Sequence, residues 1–319
     1  MSRCTWVCQE PVPLFLAGPT AVGKSAIAMA LAPKVHGEII SVDSMQVYRG
    51  LEVGTSKPTP TDRRKVRHHL LDVAEIGESY NAGRFAEEAT RIAQEVQSRG
   101  HVPILSGGSG LYFQALLEGV GSPIPSSPEA RGTLERLSLP ELLGELERRD
   151  PERFRVIDQM NRRRVTRALE IARATGQSSL IAQSSWRRRG AKEQGEGVRD
   201  EPIFFAALRR TREDLQARIA RRVDWMFEAG LVAETKVLLQ GSLPPAHGAR
   251  QAIGYKQVLE HLRGAYSLEE TIERVKQRTR QYAKRQMNWF RNEPSIEWLE
   301  APVSLEKLLE RLRQRSSAV

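Results

Sequence analysis

Gly18, Pro19, Thr20, Ala21, Val22, Gly23, Lys24 and Ser25 set two glycines, a lysine and a hydroxyl at the spacing GxxxxGKS. That spacing builds a phosphate cradle. The glycines let backbone N–H groups turn inward at a helix N-terminus, Lys24 adds a point charge, and the Ser25 hydroxyl can reach Mg²⁺. A diphosphate or a triphosphate is the expected ligand. Asp43 closes the next strand-like run, so in a parallel sheet its carboxylate emerges at the same edge as the cradle. It could help hold Mg²⁺, act as a general base, or cap the following turn. Ser109 lies in a second glycine turn, Ser106-Gly-Gly-Ser-Gly110. It could donate a hydrogen bond to a leaving oxygen or simply cap a helix.

These residues need a scaffold that brings strand ends together. Strand-like runs at 14–18, 38–42, 69–73 and 102–106 alternate with helical signals. One helix carries Phe85, Ala89, Ile92, Ala93 and Val96 on a single face and stops at Gly100. The alternation predicts an α/β fold, a P-loop NTPase-like parallel sheet flanked by helices, with residues 10–121 as its first part. A proline- and serine-rich turn from Ser122 to Pro128 opens a strongly charged helical stretch without strands. A basic, glycine-containing run at 187–200 reads as an exposed loop. Residues 122–200 therefore form a smaller all-helical insertion domain. One more buried strand at 203–208 begins the completion of the core over 201–319, and the remainder reads as helical. There Thr211 with Asp214, and Ser267 with Glu270, predict capped helix starts.

Composition narrows the partners. Across 319 residues, 49 Lys and Arg against 39 Asp and Glu leave a net charge of +10, which suits a polyanion, nucleic acid before a membrane surface. No apolar run approaches the ~18 residues that span a bilayer. Cys4 and Cys8 are the two cysteines, so a disulfide scaffold is excluded and a cytoplasmic protein without membrane contact is expected. Two basic segments stand out. Helical spacing puts Arg163 and Arg167 on one face, with Val165, Ala168, Leu169 and Ala172 on another. Further on, Lys276, Arg280 and Lys284 step along one side of a helix, with Tyr282 and Trp289 a heptad apart. Those two aromatics could stack on bases, but core packing is the commoner use of that spacing.

Taken together, these segments resemble the tRNA dimethylallyltransferases, also called tRNA isopentenyltransferases, of the bacterial type. The likeness runs through GPTAVGKS at 18–25, SVDSMQVYRGLEVGTSKP at 41–58 and HHLLDV at 68–73. It continues through SGGSGLYFQALLEG at 106–119, RALEIARATG at 167–176, AIGYK at 252–256 and TRQYAKRQ at 279–286. The resemblance implies that the loop grips dimethylallyl diphosphate rather than ATP. It also implies transfer of the five-carbon group to N6 of the adenine at position 37 of tRNA, beside the anticodon. Lys24, Ser109 and Asp43 would then be catalytic, with Mg²⁺ held by Ser25 through the diphosphate. Asp43, Ser44, Met45 and Gln46 are implied to contact tRNA near the target base. The same carry-over assigns to the anticodon stem-loop Arg131, Arg163, Arg164, Val165, Thr166 and Arg167, and also Gln251, Ala252, Ile253, Gly254, Tyr255 and Lys256. A monomer is expected.

The chain departs from the family pattern at three points: Ser109 stands where threonine is usual, Asn288 likewise, and Asp158-Gln-Met-Asn161 replaces an HPND-like run. Rival readings are prenyl transfer to a free adenine nucleotide, an ATP-dependent small-molecule kinase, and a nucleic-acid-binding P-loop protein without catalysis. The net charge and the insertion arginines oppose the first, because a mononucleotide needs no such footprint.

Overall fold

The computed structural model describes residues 10–119, 128–180, 204–240, 251–293 and 296–316. Cys4, Cys8, most of the proline-rich turn and the basic run at 187–200 lie outside them. By its contacts the chain divides into two compact units, Met1–Leu116 with Glu201–Val319, and Leu117–Asp200.

The larger unit is built on six strands: β1 (Leu14–Ala17), β2 (Gly37–Val42), β3 (His68–His69), β4 (Val102–Gly107), β5 (Phe204–Arg209) and β6 (Glu297–Glu300). They form one sheet in the order β3-β2-β4-β1-β5-β6, and every pairing is parallel. Because all strands point the same way, the residues that follow β1, β2, β4 and β5 gather at one edge. Those residues are the P-loop, Asp43, the Gly108–Ser109 turn and Arg210.

Strand alternation sorts the core into two layers. Leu14, Leu16, Ile39, Ile104, Phe204, Ala206 and Leu208 pack with Val22, Ala28 and Leu31 on one face. On the other, the rings of Phe15 and Phe205 stand 5.6 Å apart, and Phe113 meets Phe205 at 5.2 Å and Phe290 at 6.1 Å. Helices α1 (Lys24–Leu31), α2 (Pro60–Lys65), α3 (Ala82–Ser98) and α4 (Gly110–Glu118) belong to the first half. All five apolar residues read onto the inner face of α3 are buried.

Two strand expectations change. The run at 69–73 yields only the two-residue β3, because Leu70 and Asp72 take left-handed backbone angles of +58° and +57°. The Asp72 carboxylate is fixed there by Lys57 and Arg63. The C-terminal region is not wholly helical either: β6 pairs with β5 and forms an edge of the sheet.

The smaller unit is helical among its described residues: α5 (Pro128–Arg136), α6 (Leu139–Arg149), α7 (Pro151–Val156) and α8 (Arg162–Thr175). Leu134, Leu142, Leu146, Ile157, Val165, Ala168 and Leu169 make its core. The larger unit is completed by α9 (Arg212–Glu228), α10 (Leu231–Gln240), α11 (Tyr255–Leu262), α12 (Leu268–Arg291) and α13 (Leu305–Ser316). Thr211 caps α9 by accepting from the Asp214 N–H, and Ser267 with Glu270 forms a reciprocal capping box on α12.

Candidate active site

The P-loop leaves β1 at Gly18, whose φ of +139° and a carbonyl of Leu208 only 2.8 Å from where a Cβ would sit both require glycine. The loop enters α1 through Gly23, also at positive φ. No side chain caps α1, and its first turn holds no acidic residue. The helix therefore presents free N–H groups and the positive end of its dipole to a ligand.

A P-loop that turns its N–H groups inward must turn carbonyls outward, and arginines take them. Arg210 Nε donates to the Val22 carbonyl and Arg218 Nε to that of Ala21, each at 2.8 Å. Arg222 bonds the Thr20 hydroxyl with Nη1 and the Ser56 hydroxyl with Nε, both at 2.9 Å. Lys24, Ser25, Ser56, Arg218, Arg221 and Arg222 line a cavity of about 490 Å³ over the loop. Among the described residues four cations and no carboxylate line it, so it is a site for an anion.

Lys24 folds back onto the loop, donating to the carbonyls of Gly18 and Pro19 at 2.8 Å each. Burial lowers its ammonium to about 7; the charge of Arg222 acts in the same direction and that of Asp43 opposes both. Burial likewise lowers Arg222 from its ordinary value, with Asp43 again opposing. Asp43 is thus the carboxylate whose field reaches both cations. Its Oδ1 accepts the N–H groups of Met45 at 2.8 Å and Gln46 at 3.2 Å, so it caps the turn after β2. The turn engages Oδ1 alone. Burial also raises the Tyr282 hydroxyl, which lies close to Asp43, Ser109 and Gln286.

Ser109 donates its N–H to the Val42 carbonyl at 3.3 Å, and its own carbonyl accepts from Tyr112 and Phe113 at the start of α4. The β4 turn is thereby tied to the residue before Asp43. Among the described residues no three His, Cys, Asp or Glu converge on a metal position. A divalent ion here would be held by the Ser25 hydroxyl together with oxygens of the bound anion, which suits the cavity's chemistry.

An IPP transferase family model matches residues 46–293. The chain is 42% identical to tRNA dimethylallyltransferase 1 of Trichlorobacter lovleyi, over 92% of this chain and 95% of that one. The chain belongs to the IPP transferase family. Among solved structures, the tRNA isopentenylpyrophosphate transferase of Bacillus halodurans superposes with a TM-score of 0.68 at 35% identity, covering 96% of this chain and 95% of the other. A eukaryotic dimethylallyltransferase acting on tRNA superposes at 0.69 and 29% identity, over 95% of this chain and 77% of its own.

Within this family member, several residues expected from sequence to meet tRNA do other work. Gln46 spends its side chain inside the protein, accepting from Ser41 at 2.8 Å and donating to the carbonyls of Thr55 and Ser56. Tyr255 is buried against Gly54 and donates its hydroxyl to Glu234, whose carboxylate in turn receives the N–H groups of Glu52, Val53 and Gly54. Val165 and Thr166 are buried in the helical unit, and Gly254 is buried at the start of α11. Arg163, Arg164, Gln251 and Lys256 are exposed, and so is Arg167, which pairs with Glu170 at 2.9 Å; Ser44, Met45, Ala252 and Ile253 are half-buried. Arg131 lies on α5, and its side chain is outside the described ones. Lys276 is bound to Asp224 at 2.8 Å and to Glu273 at 3.0 Å, which removes it from the basic stripe of α12. Trp289 packs on Gly110, where any Cβ would fall 2.2 Å from the indole. Its partner in the heptad, Tyr282, instead faces the site.

Sequence reasoning missed the arginine brace and the bridge made by Gln286. Arg218 and Arg222 stand at i and i+4 on α9, a spacing that puts them on one face. That was the available signal.

Proposed function

We propose that the chain transfers the dimethylallyl group of dimethylallyl diphosphate to N6 of adenine 37 in tRNA, releasing diphosphate. The carrying observation is the cationic P-loop cavity sharing a sheet edge with Asp43, in a chain so similar to tRNA dimethylallyltransferases. As the bond from the donor's C1 to N6 forms, the C1–O bond breaks and its electron pair leaves with the diphosphate. The α1 N-terminus, Lys24 and Arg222 stabilise that charge, Lys24 exchanging its hold on the Gly18 and Pro19 carbonyls for the phosphate. Mg²⁺, held through Ser25, would neutralise part of the same charge. Asp43 takes the N6 proton through the oxygen that the turn does not use. Ser109 donates a hydrogen bond toward the leaving oxygen. The adenine reaches the edge by leaving its stack.

Arg163, Arg164 and Arg167 of the helical unit, with Arg131, Gln251 and Lys256, supply phosphate contacts to the anticodon stem-loop. A tRNA acceptor supports a cytoplasmic setting. No described helix is long and apolar enough to cross a membrane. The enzyme is proposed to act as a monomer.

The experiment is transfer of label from radioactive dimethylallyl diphosphate, with Mg²⁺, to unmodified tRNA or to AMP. Label in tRNA is expected; label in AMP alone would change the acceptor, and ATP turnover without prenyl transfer would end the proposal. Asp43→Asn preserves an oxygen for the turn while removing the proton acceptor. It should lower kcat by about 10²- to 10⁴-fold and leave diphosphate affinity in place. Wild-type turnover in that variant would take Asp43 out of the base role.

A further inference from the structure

Gln286 sits on α12, far along the chain from the phosphate loop, yet it is buried between the two glycine turns of the site. Its Oε1 accepts the Thr20 N–H at 2.9 Å, and its Nε2 donates to the Gly108 carbonyl at 2.9 Å. The fit is close enough that a Cβ on residue 108 would lie 2.2 Å from that nitrogen. The Gly108 turn is in turn fixed to β2, through the Ser109 N–H on the Val42 carbonyl. On its other side Thr20 is held by Arg222, which also holds Ser56, and Gln46 holds the Ser56 carbonyl from just beyond Asp43. The hydrogen bonds close a ring: Asp43 turn, Ser109, Gly108, Gln286, Thr20, Arg222, Ser56, Gln46.

We infer that Gln286 is a positioning residue for group transfer. It spans the P-loop and the β4 turn and so fixes the distance between the diphosphate cradle and the edge where Asp43 receives the acceptor. This rests on the transferase function proposed above. The physical basis is that two reacting groups held by different loops react only when both loops are in register, and a misplacement near 1 Å costs about 10²-fold. Gln286 grips neither substrate. It acts through Thr20 and Gly108.

A direct ligand and a positioning residue differ in what their loss changes. Gln286→Met keeps the side-chain volume and removes both hydrogen bonds. Gln286→Asn keeps the amide but is one methylene too short to reach both partners. The expected result is a kcat lowered about ten- to hundredfold in Gln286→Met, with Gln286→Asn between it and the parent. KM for the prenyl donor and Kd for inorganic diphosphate should stay within about threefold, because the cradle itself is intact. Rates are normalised to active sites counted by diphosphate titration. Unchanged kcat per active site, with the loss confined to melting temperature or active fraction, would reduce Gln286 to a structural part and overturn the inference. If Gln286→Met does not fold, Gln286→Asn decides by the same readouts. A parent chain that transfers no label to tRNA fails the transferase proposal itself. An active parent with undiminished variants fails the inference alone.

Discussion

Lys24 offers a quantitative test of the cradle. With its ammonium at about 7, burial and Arg222 have made the charged form costly before any ligand arrives. A diphosphate reverses the balance, because two or more negative charges then face the ammonium. Binding must therefore draw a proton from solution wherever the empty site has lost it. For a group titrating near 7, about one molecule in eleven is charged at pH 8 and about ten in eleven at pH 6. Binding should then take up about 0.9 proton at pH 8 and about 0.1 at pH 6. The apparent Kd should rise about fivefold from pH 7 to pH 8 and less than twofold from pH 6 to pH 7. Calorimetry with a non-reacting dimethylallyl diphosphate analogue, in buffers of different ionisation enthalpy at pH 8, reads the proton directly. The analogue's phosphates are fully ionised there, so the proton is the protein's. Lys24→Arg carries a guanidinium that does not titrate and should bind without uptake. Equal heats in all buffers for the parent, or the same uptake in Lys24→Arg, would refute the assignment.

Three further outcomes follow from the geometry. Burial works to raise the Glu38 carboxyl, but hydrogen bonds from His69, His101 and Arg99 overcome it and hold it at about 2, against 4.5 ordinarily. That difference is worth about 3 kcal/mol of stability, present above pH 4.5 and lost as pH falls toward 2. Glu38→Gln should remove it, and an unchanged urea midpoint at pH 7 would contradict the ledger. Arg163→Glu with Arg164→Glu should weaken tRNA binding and flatten the slope of log K against log salt by about 1.5, measured by filter binding; an unaltered slope would take both from the RNA. Tyr255→Phe should cost about 1–3 kcal/mol by leaving Glu234 short of a donor, with KM for tRNA little changed. A raised KM at full stability would instead restore Tyr255 to the tRNA surface.

Much of this was legible because it is local. The P-loop, the α3 face and the Ser267 cap are patterns within a few residues, and a parallel sheet follows from their alternation. What escaped is what joins distant segments. Gln286 meets Thr20 and Gly108 across 266 and 178 residues, and no spacing rule spans that distance. Arg218 and Arg222 look like a solvated helix face, and Arg210 like a charge in the turn before it, until the loop's outward carbonyls are seen against them. Gln46 and Tyr255 carry the residue types of a binding surface, but Ser41, Thr55 and Glu234 absorb them. β6 was hidden because a four-residue strand, half of it charged, has little apolar signal before its neighbour is known.

The long reach of Gln286 and the late arrival of β6 also bear on synthesis. Residues 18–25 leave the ribosome well before residues 286–300, carrying a phosphate-gripping motif into a cell full of nucleotides. Its register with the Gly108 turn nonetheless depends on residue 286, and the sheet is completed by residues 297–300. Until that stretch has emerged, the nascent chain carries the cradle without its link to the turn beside Asp43. Competence for transfer is thus conferred only once residues 286–300 have joined the segments made long before them.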